Sequence, residues 1–384
     1  MKRMLDHMRE HTPDASAMLE RLETYVRHET PTGDPVRLNA FADLLADRHH
    51  ELGAQVRRVS AATGDHLVAD HPGAGDPAAH APILLLGHHD TVWPAGHLDS
   101  AMPWRVDDGV AYGPGVYDMK SGLVVIETAL ALLRARAAPH PPVRVLVVAD
   151  EEVGSPTSSG LVAECVAGAT AALGFESPHP DGALKVGRRG SSRVRISVRG
   201  RAAHAALDPQ AGVSAVDELV DQLLAVRSIV AAAPGEVLCN VGTVQGGGKT
   251  NVVPAEAWAD IGLRFLDAES EDAVLGGLRA LRPVRDGADV RAEILSRRPT
   301  WSPHEADQRL VDVFAAVGAQ LDQDVSGHPA AGAADTNTTG SLGVPTVDGL
   351  GPLGAGAHAL HEQVVISSLP QRAELVAAVL AHLR

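Results

Sequence analysis

Three places in the sequence put ligand-type or acid–base side chains directly after an apolar run. Ile83-Leu84-Leu85-Leu86 leads through Gly87 into His88-His89-Asp90. Val143 to Val148 leads into Asp150-Glu151-Glu152, and Ala171 to Phe175 leads into Glu176. Imidazoles and carboxylates bind divalent metals and carry protons at neutral pH. Residues two apart in an extended segment face the same way, so His88 and Asp90 point together while His89 turns aside. A carboxylate beside a ligating imidazole fixes its tautomer and raises its basicity. Taken singly, a histidine at a strand end is more often a polar loop residue, and an acidic trio is usually a solvated turn. Three strand ends carrying the same residue types favour a metal site.

The elements around them have to bring these ends together. Leu19, Leu22 and Val26 mark one helix face; Phe41, Leu44 and Leu45 mark a second that stops at Gly53. A helix over about Val124–Leu133 separates the strands at Ile83–Leu86 and Val143–Val148. Continuous apolar strands alternating with helices predict a mainly parallel sheet covered on both faces. In such a sheet the ligand sits beyond the carboxyl ends of the strands. The pattern changes after Gly190. Val194, Ile196 and Val198 alternate with arginines, as in a strand with one wet face. A helix over about Val213–Val230, strands near Glu236–Val244 and Glu256–Phe265, a helix near Ser270–Leu281 and a strand near Ala288–Leu295 complete a βαββαβ unit, similar to the ferredoxin-like motif. The helix–strand pattern returns after Pro303 and ends in a helix near Pro370–Leu383. The expected fold class is therefore α/β, a discontinuous domain over residues 1–190 and 297–384 with an inserted domain over 191–296. Segments 74–82 and 137–142 read as surface loops.

At 384 residues, two domains are the default expectation. The 48 acidic against 33 basic residues give a net charge of −15, which repels nucleic acid and anionic lipid, so neither is an expected partner. The basic N-terminal segment has no apolar run behind it, so no secretory signal is read, and no stretch reaches the roughly 20 apolar residues of a membrane span. Cys165 and Cys239 form no metal-binding pair and fit buried thiols in a reducing compartment. The cytoplasm is the expected location. Gly248-Lys249-Thr250 ends like a phosphate-binding loop, but the required first glycine position holds Thr243, and nucleotide binding is rejected.

The runs GHHDTVWPAGHL, AYGPGVYDMKSG, VVADEEVGSPTSSG, GFESP and GPLGAGAH resemble, in order, the motifs of the carboxypeptidase-G family of two-zinc metallopeptidases. Acetylornithine deacetylases, succinyl-diaminopimelate desuccinylases and aminoacylases are its relatives. The resemblance covers nearly the whole chain. It implies a zinc-peptidase-type catalytic domain, with the inserted βαββαβ unit as a lid or dimerisation domain.

Residue by residue, the resemblance implies two Zn²⁺ per chain bridged by Asp118, with Co²⁺ or Mn²⁺ as substitutes. One ion takes His88 and Glu176, the other Glu152 and His358. Glu151 is then the general base, and Asp90 the partner of His88. The resemblance favours His358 over His361, because the family's ligand follows a Gly-rich loop and precedes an acidic residue, here Glu362, by four. It also implies a cis peptide at Asp118–Met119. His204, in GRAAHAAL, corresponds to a lid histidine that reaches the partner subunit's site and stabilises an oxyanion. Asn251 and Arg264 match positions that hold the substrate carboxylate, for which an arginine's planar fork is suited; Arg298 assists. Lys185, Arg188 and Arg189 form a basic cluster without a secure counterpart, and a solvated hinge serves as well.

The implied activity is release of a C-terminal amino acid such as glutamate from a small peptide-like substrate, by a homodimer paired through the inserted domain. N-acyl-amino-acid deacylation by the same machinery is the near alternative. A catalytically silent binding protein on the same fold is the remote one, which the presence of all five ligand positions and Glu151 disfavours.

Overall fold

The structure, a computed structural model, describes residues 12–74 and 81–383. Most of the expected 74–82 loop and the start of the N-terminal segment lie outside the described residues. The chain divides into two compact units. One holds the chain up to Gly187, Pro303–Ala330 and the chain from Ala334 on; the other holds Arg188–Ser302 and Ala331–Ala333.

In the first unit, α1 (Ala15–Arg27) starts where the Asp14 carboxylate accepts Ser16 N–H, and α2 (Pro35–Glu51) where Asp34 accepts Arg37 N–H. Each cap satisfies a donor that the helix leaves orphaned. Leu22 and Val26, and Leu38, Phe41 and Leu45, form their buried stripes. β1 (Gln55–Val59) and β2 (His66–His71) form an antiparallel hairpin. There follow β3 (Ile83–His88), α3 (Ser121–Ala135), β4 (Val143–Val148), α4 (Ser159–Val166) and β5 (Ala171–Gly174).

The second unit runs β6 (Gly190–Arg199), α5 (Ala215–Ala231), β7 (Val237–Gly246), β8 (Glu256–Phe265), α6 (Ala268–Arg279) and β9 (Asp289–Arg298). Its sheet order is β7-β8-β6-β9, with every pair antiparallel, the arrangement of a ferredoxin-like unit. Val194, Ile196 and Val198 of β6, with Ile261 and Leu263 of β8, pack under Leu219 and Val274 of the two helices. Arg188 and Trp301 exchange both backbone hydrogen bonds, at 3.0 and 3.1 Å, and so extend the β6–β9 ladder. The unit's edges therefore lie at Arg188 and Ser302, outside the 191–296 expected from the strand patterns.

The first unit resumes with α7 (Glu305–Gly318), α8 (Thr336–Ser341), β10 (Thr346–Val347) and α9 (Ser368–His382). Its six-stranded sheet has the order β1-β2-β4-β3-β5-β10. The pairs β4–β3, β3–β5 and β5–β10 are parallel, while β1–β2 and β2–β4 are antiparallel. The sequence pattern did not reveal this edge hairpin, because Gln55–Val59 is short, polar and partly exposed. At the centre, Ile83, Leu84 and Leu85 are fully buried, each burial worth about 1.5–3 kcal/mol. Cys165 is buried, but Cys239 is exposed, which corrects the expectation of two buried thiols: it sits on β7, the edge strand of its sheet. Among the described residues no helix is long and apolar enough to cross a membrane.

Candidate metal centre

The parallel ladder aligns three strand ends. His88 of β3 stands opposite Val148 of β4, and Leu86 stands opposite Gly174 of β5. His88, the turn Glu151–Val153 and Glu176 therefore leave the sheet at neighbouring ends. The Asp118 loop and the His358 loop approach from outside the sheet. Gly115, at the start of the first loop, has φ +70°, and a Cβ there would stand 2.6 Å from Thr91 Cγ2. Only glycine suits that position. The Asp118–Met119 peptide is cis.

The donor atoms form two groups that share one carboxylate. His88 Nε2 lies 3.2 Å from Asp118 Oδ1 and 3.5 Å from Glu176 Oε1. His358 Nε2 lies 3.3 Å from Asp118 Oδ2 and 3.1 Å from Glu152 Oε2. The exposed His361 has no part in these contacts. Ligand atoms of His88, Asp118 and Glu152 lie within 4.8 Å of one another, as do those of His88, Glu151 and Glu176. Oε1 of Glu152 is buried with no hydrogen-bond partner among the described residues. An acceptor in that state is costly unless a cation or donor meets it. Oxygen and imidazole donors in this arrangement fit divalent metal.

Two ring orientations are set by hydrogen bonds. His88 Nδ1 donates to the Asp90 backbone carbonyl at 3.0 Å, with Asp90 Oδ1 at 3.4 Å, and this leaves Nε2 facing the cluster. His89 turns away and bonds Asp65 O at 3.1 Å. Burial opposes charge on His88, yet the Asp118 and Asp90 carboxylates hold its pKa well above the ordinary value. Asp118 and Glu152 raise His358 to about 10. Burial likewise opposes ionisation of Asp118 and Asp90, but their histidine partners hold both below the usual carboxylate range. The cluster thus carries an excess of negative charge that protons or metal ions must balance.

Further carboxylates pin the backbones of the cluster residues. Asp90 Oδ1 accepts Glu151 N–H at 3.1 Å, and its Oδ2 accepts Glu152 N–H at 3.2 Å and the Thr32 hydroxyl at 2.8 Å. Asp348 Oδ1 accepts Glu176 N–H at 3.2 Å, and its Oδ2 accepts the Thr336 hydroxyl at 2.6 Å. Asp335 hydrogen-bonds the Ser155 hydroxyl and lines a cleft with His88, Glu151 and Glu176. The sequence reading did not single out Asp348, Asp335 or Thr32. Asp348 follows the two-residue strand Thr346–Val347, which is too short to give a periodic signal.

The remaining site candidates lie in the second unit. His204 is exposed, and its Nδ1 accepts Ala206 and Leu207 N–H at 3.2 and 3.1 Å. A neutral ring held that way carries its proton on Nε2, as a hydrogen-bond donor. Asn251 and Arg264 are exposed, and Arg298 is half-buried near the end of β9. The basic trio is not solvated as a group, since Arg188 is buried and Lys185 and Arg189 are half-buried. Lys185 donates to Ser177 Oγ at 3.3 Å, the buried Arg188 to Gly332 O at 2.7 Å, and Arg189 to Glu236 Oε1 at 2.9 Å.

The profile of peptidase family M20/M25/M40 matches residues 84–382. Carboxypeptidase G2 of Pseudomonas sp. (strain RS-16) is 32% identical over 97% of this chain and 90% of its own length. A succinyl-diaminopimelate desuccinylase of Gluconacetobacter diazotrophicus is 29% identical over 78% of this chain and 81% of its own. Among solved structures, a tripeptidase from Staphylococcus aureus superposes with a TM-score of 0.73 at 21% identity, covering 97% of this chain and 99% of that one. An M20 family metallo-carboxypeptidase from Sulfolobus solfataricus gives 0.72 at 14% identity, covering 95% and 98%.

Proposed function

The chain belongs to peptidase family M20/M25/M40, and from that premise we propose a two-zinc carboxypeptidase that releases a C-terminal amino acid such as glutamate from a small substrate. Membership makes it a metal-dependent hydrolase of amide bonds. The observation that carries the finer reading is the shared carboxylate, with His88 and His358 facing opposite oxygens of Asp118 at 3.2 and 3.3 Å. His88 and Glu176 would hold one ion, Glu152 and His358 the other, and Asp118 both. When bound, such ions supply Lewis acidity and make a water acidic near neutral pH.

The chain's own groups supply the rest. Glu151 lines the cleft beside His88 and Glu176, and its backbone is held by Asp90. It is the acceptor for the water proton and its donor to the leaving amine. Arg264, Asn251 and Arg298 would hold the substrate's free carboxylate, and His204 Nε2–H would meet the developing oxyanion. We place the pairing of two chains on the second unit. Leu238 and Val244 of its edge strand β7 are 52% and 58% exposed, and Val220 and Leu224 of α5 are 51% and 54% exposed. The cytoplasm remains the expected location.

The desuccinylase relative supports a second reading, deacylation of an N-acyl amino acid by the same groups. Screening zinc-loaded protein against dipeptides, N-acyl glutamates and N-succinyl amines for released amine separates the two. Turnover confined to N-succinyl amines would replace the carboxypeptidase reading, and no turnover on any amide would sink both.

A further inference from the structure

Glu362 is only 1% exposed, yet both of its carboxylate oxygens are fully used. Oε2 accepts Trp93 Nε1–H at 2.6 Å and Gly115 N–H at 2.9 Å. Oε1 accepts Tyr117 N–H at 2.8 Å and Asp118 N–H at 2.9 Å. Three of the four donors are backbone groups of the loop that presents Asp118, and one is the N–H of Asp118 itself. Four donors offset part of the cost of burying a carboxylate.

The same residue belongs to the His358 loop. Its N–H donates to Ala359 O at 2.9 Å, and Ala359 N–H donates to Gly356 O at 2.8 Å, closing two consecutive turns around His358. Gly356 has φ +81°, and a Cβ there would stand 3.0 Å from the Glu362 backbone. Immediately after Glu362, Gln363–Val365 pairs antiparallel with Val110–Tyr112, the strand that feeds the Asp118 loop. Both loops therefore leave one ladder, and the Glu362 side chain ties them together just beyond it. One loop ends on a carboxylate facing both donor groups; the other carries a histidine of one group.

We infer that Glu362 is a positioning residue for the whole metal centre, holding the Asp118 and His358 loops in a single register, with Trp93 completing the brace. This rests on the proposed two-ion reading. A brace on the shared carboxylate has a consequence that a ligand of one ion lacks, because loosening it should weaken both ions in parallel. Glu362→Gln keeps the size of the side chain but replaces one acceptor oxygen with an NH₂ group that faces N–H donors. Loss of an outer partner of a metal ligand costs about 10–100-fold in metal affinity.

The test titrates Zn²⁺ into the metal-free full-length chain against a chromophoric zinc chelator, with thermal melting of the metal-free protein alongside. Glu362→Gln should lower both affinities together by about 10–100-fold. Trp93→Phe removes only the indole donor and should lower both by a smaller, several-fold factor, so the inference stays testable if Glu362→Gln does not fold. Affinities equal to the unaltered chain in a folded variant, or loss of one ion alone, would overturn it. A lower melting point with unchanged zinc affinity would overturn it too, by reducing Glu362 to a structural staple. Failure of the unaltered chain to bind zinc would instead strike the two-ion reading itself.

Discussion

The backbone N–H of Glu151 donates to Oδ1 of Asp90 at 3.1 Å. Asp90 therefore does more than orient the His88 ring, since it also anchors the turn that presents Glu151 and Glu152. Asp90→Asn would set an amide NH₂ against those N–H groups or against His88. Zinc affinity should fall by about 10–100-fold, with kcat falling as well. Chelator competition on the metal-free protein measures the first and steady-state turnover the second; unchanged zinc affinity would show that Asp90 positions nothing.

Metal analysis of the zinc-supplemented protein should give two equivalents per chain. The two donor groups around Asp118 are the reason. His88→Ala or Glu176→Ala should lose one equivalent preferentially. A single tightly bound ion in the unaltered protein would contradict the two-ion centre.

Glu151→Gln should retain both ions and lose turnover by about 10²–10⁴-fold, because the amide keeps the shape but accepts no proton. Glu152→Gln should instead weaken metal binding, since Oε2 of that residue faces His358 at 3.1 Å. Near-normal kcat in Glu151→Gln would remove that residue from the proton path.

His204→Ala should keep the metals and lose about 10²–10³-fold in kcat, the usual cost of one oxyanion donor. If the histidine serves a partner subunit, mixing this variant with Glu151→Gln under subunit exchange should restore part of the activity. No recovery despite demonstrated exchange would leave His204 acting within its own chain.

Acid should destabilise the protein through a histidine pair far from the chemistry in sequence. His49 Nδ1 and His71 Nε2 lie 3.0 Å apart and both rings are buried. Burial depresses His49 to about 3 and His71 to about 4, from an ordinary 6.5. A histidine depressed by folding stays neutral in the folded state and takes up a proton on unfolding. Its contribution is therefore complete above pH 6.5 and is lost as pH falls toward 4. His71→Gln keeps a polar partner for His49 but does not titrate. Urea unfolding across that window should show a slope shallower by up to about 1.4 kcal/mol per pH unit; an unaltered slope would falsify the assignment.

What the sequence determined by itself is the set of groups whose position follows from local pattern. An apolar run ending in His88, another ending before Glu151 and Glu152, and a third before Glu176 already define the carboxyl edge of a parallel sheet, because burial on both faces demands such runs. The βαββαβ order of the second unit was legible for the same reason, since its strands alternate and its helices carry apolar stripes. Asp118, His358 and the braces Glu362 and Asp348 follow no periodicity. As bare sequence they are polar residues in loops; only the motif resemblance singled out Asp118 and His358, with Glu362 as the acidic marker that follows the histidine. Their roles arise from contacts between segments far apart in the chain: a shared carboxylate, and backbone N–H groups collected by one buried side chain. Tertiary structure decides these because a hydrogen bond between loops depends on where the strands beneath them pair. The register between Gln363–Val365 and Val110–Tyr112 is a property of two segments meeting and is written in neither alone.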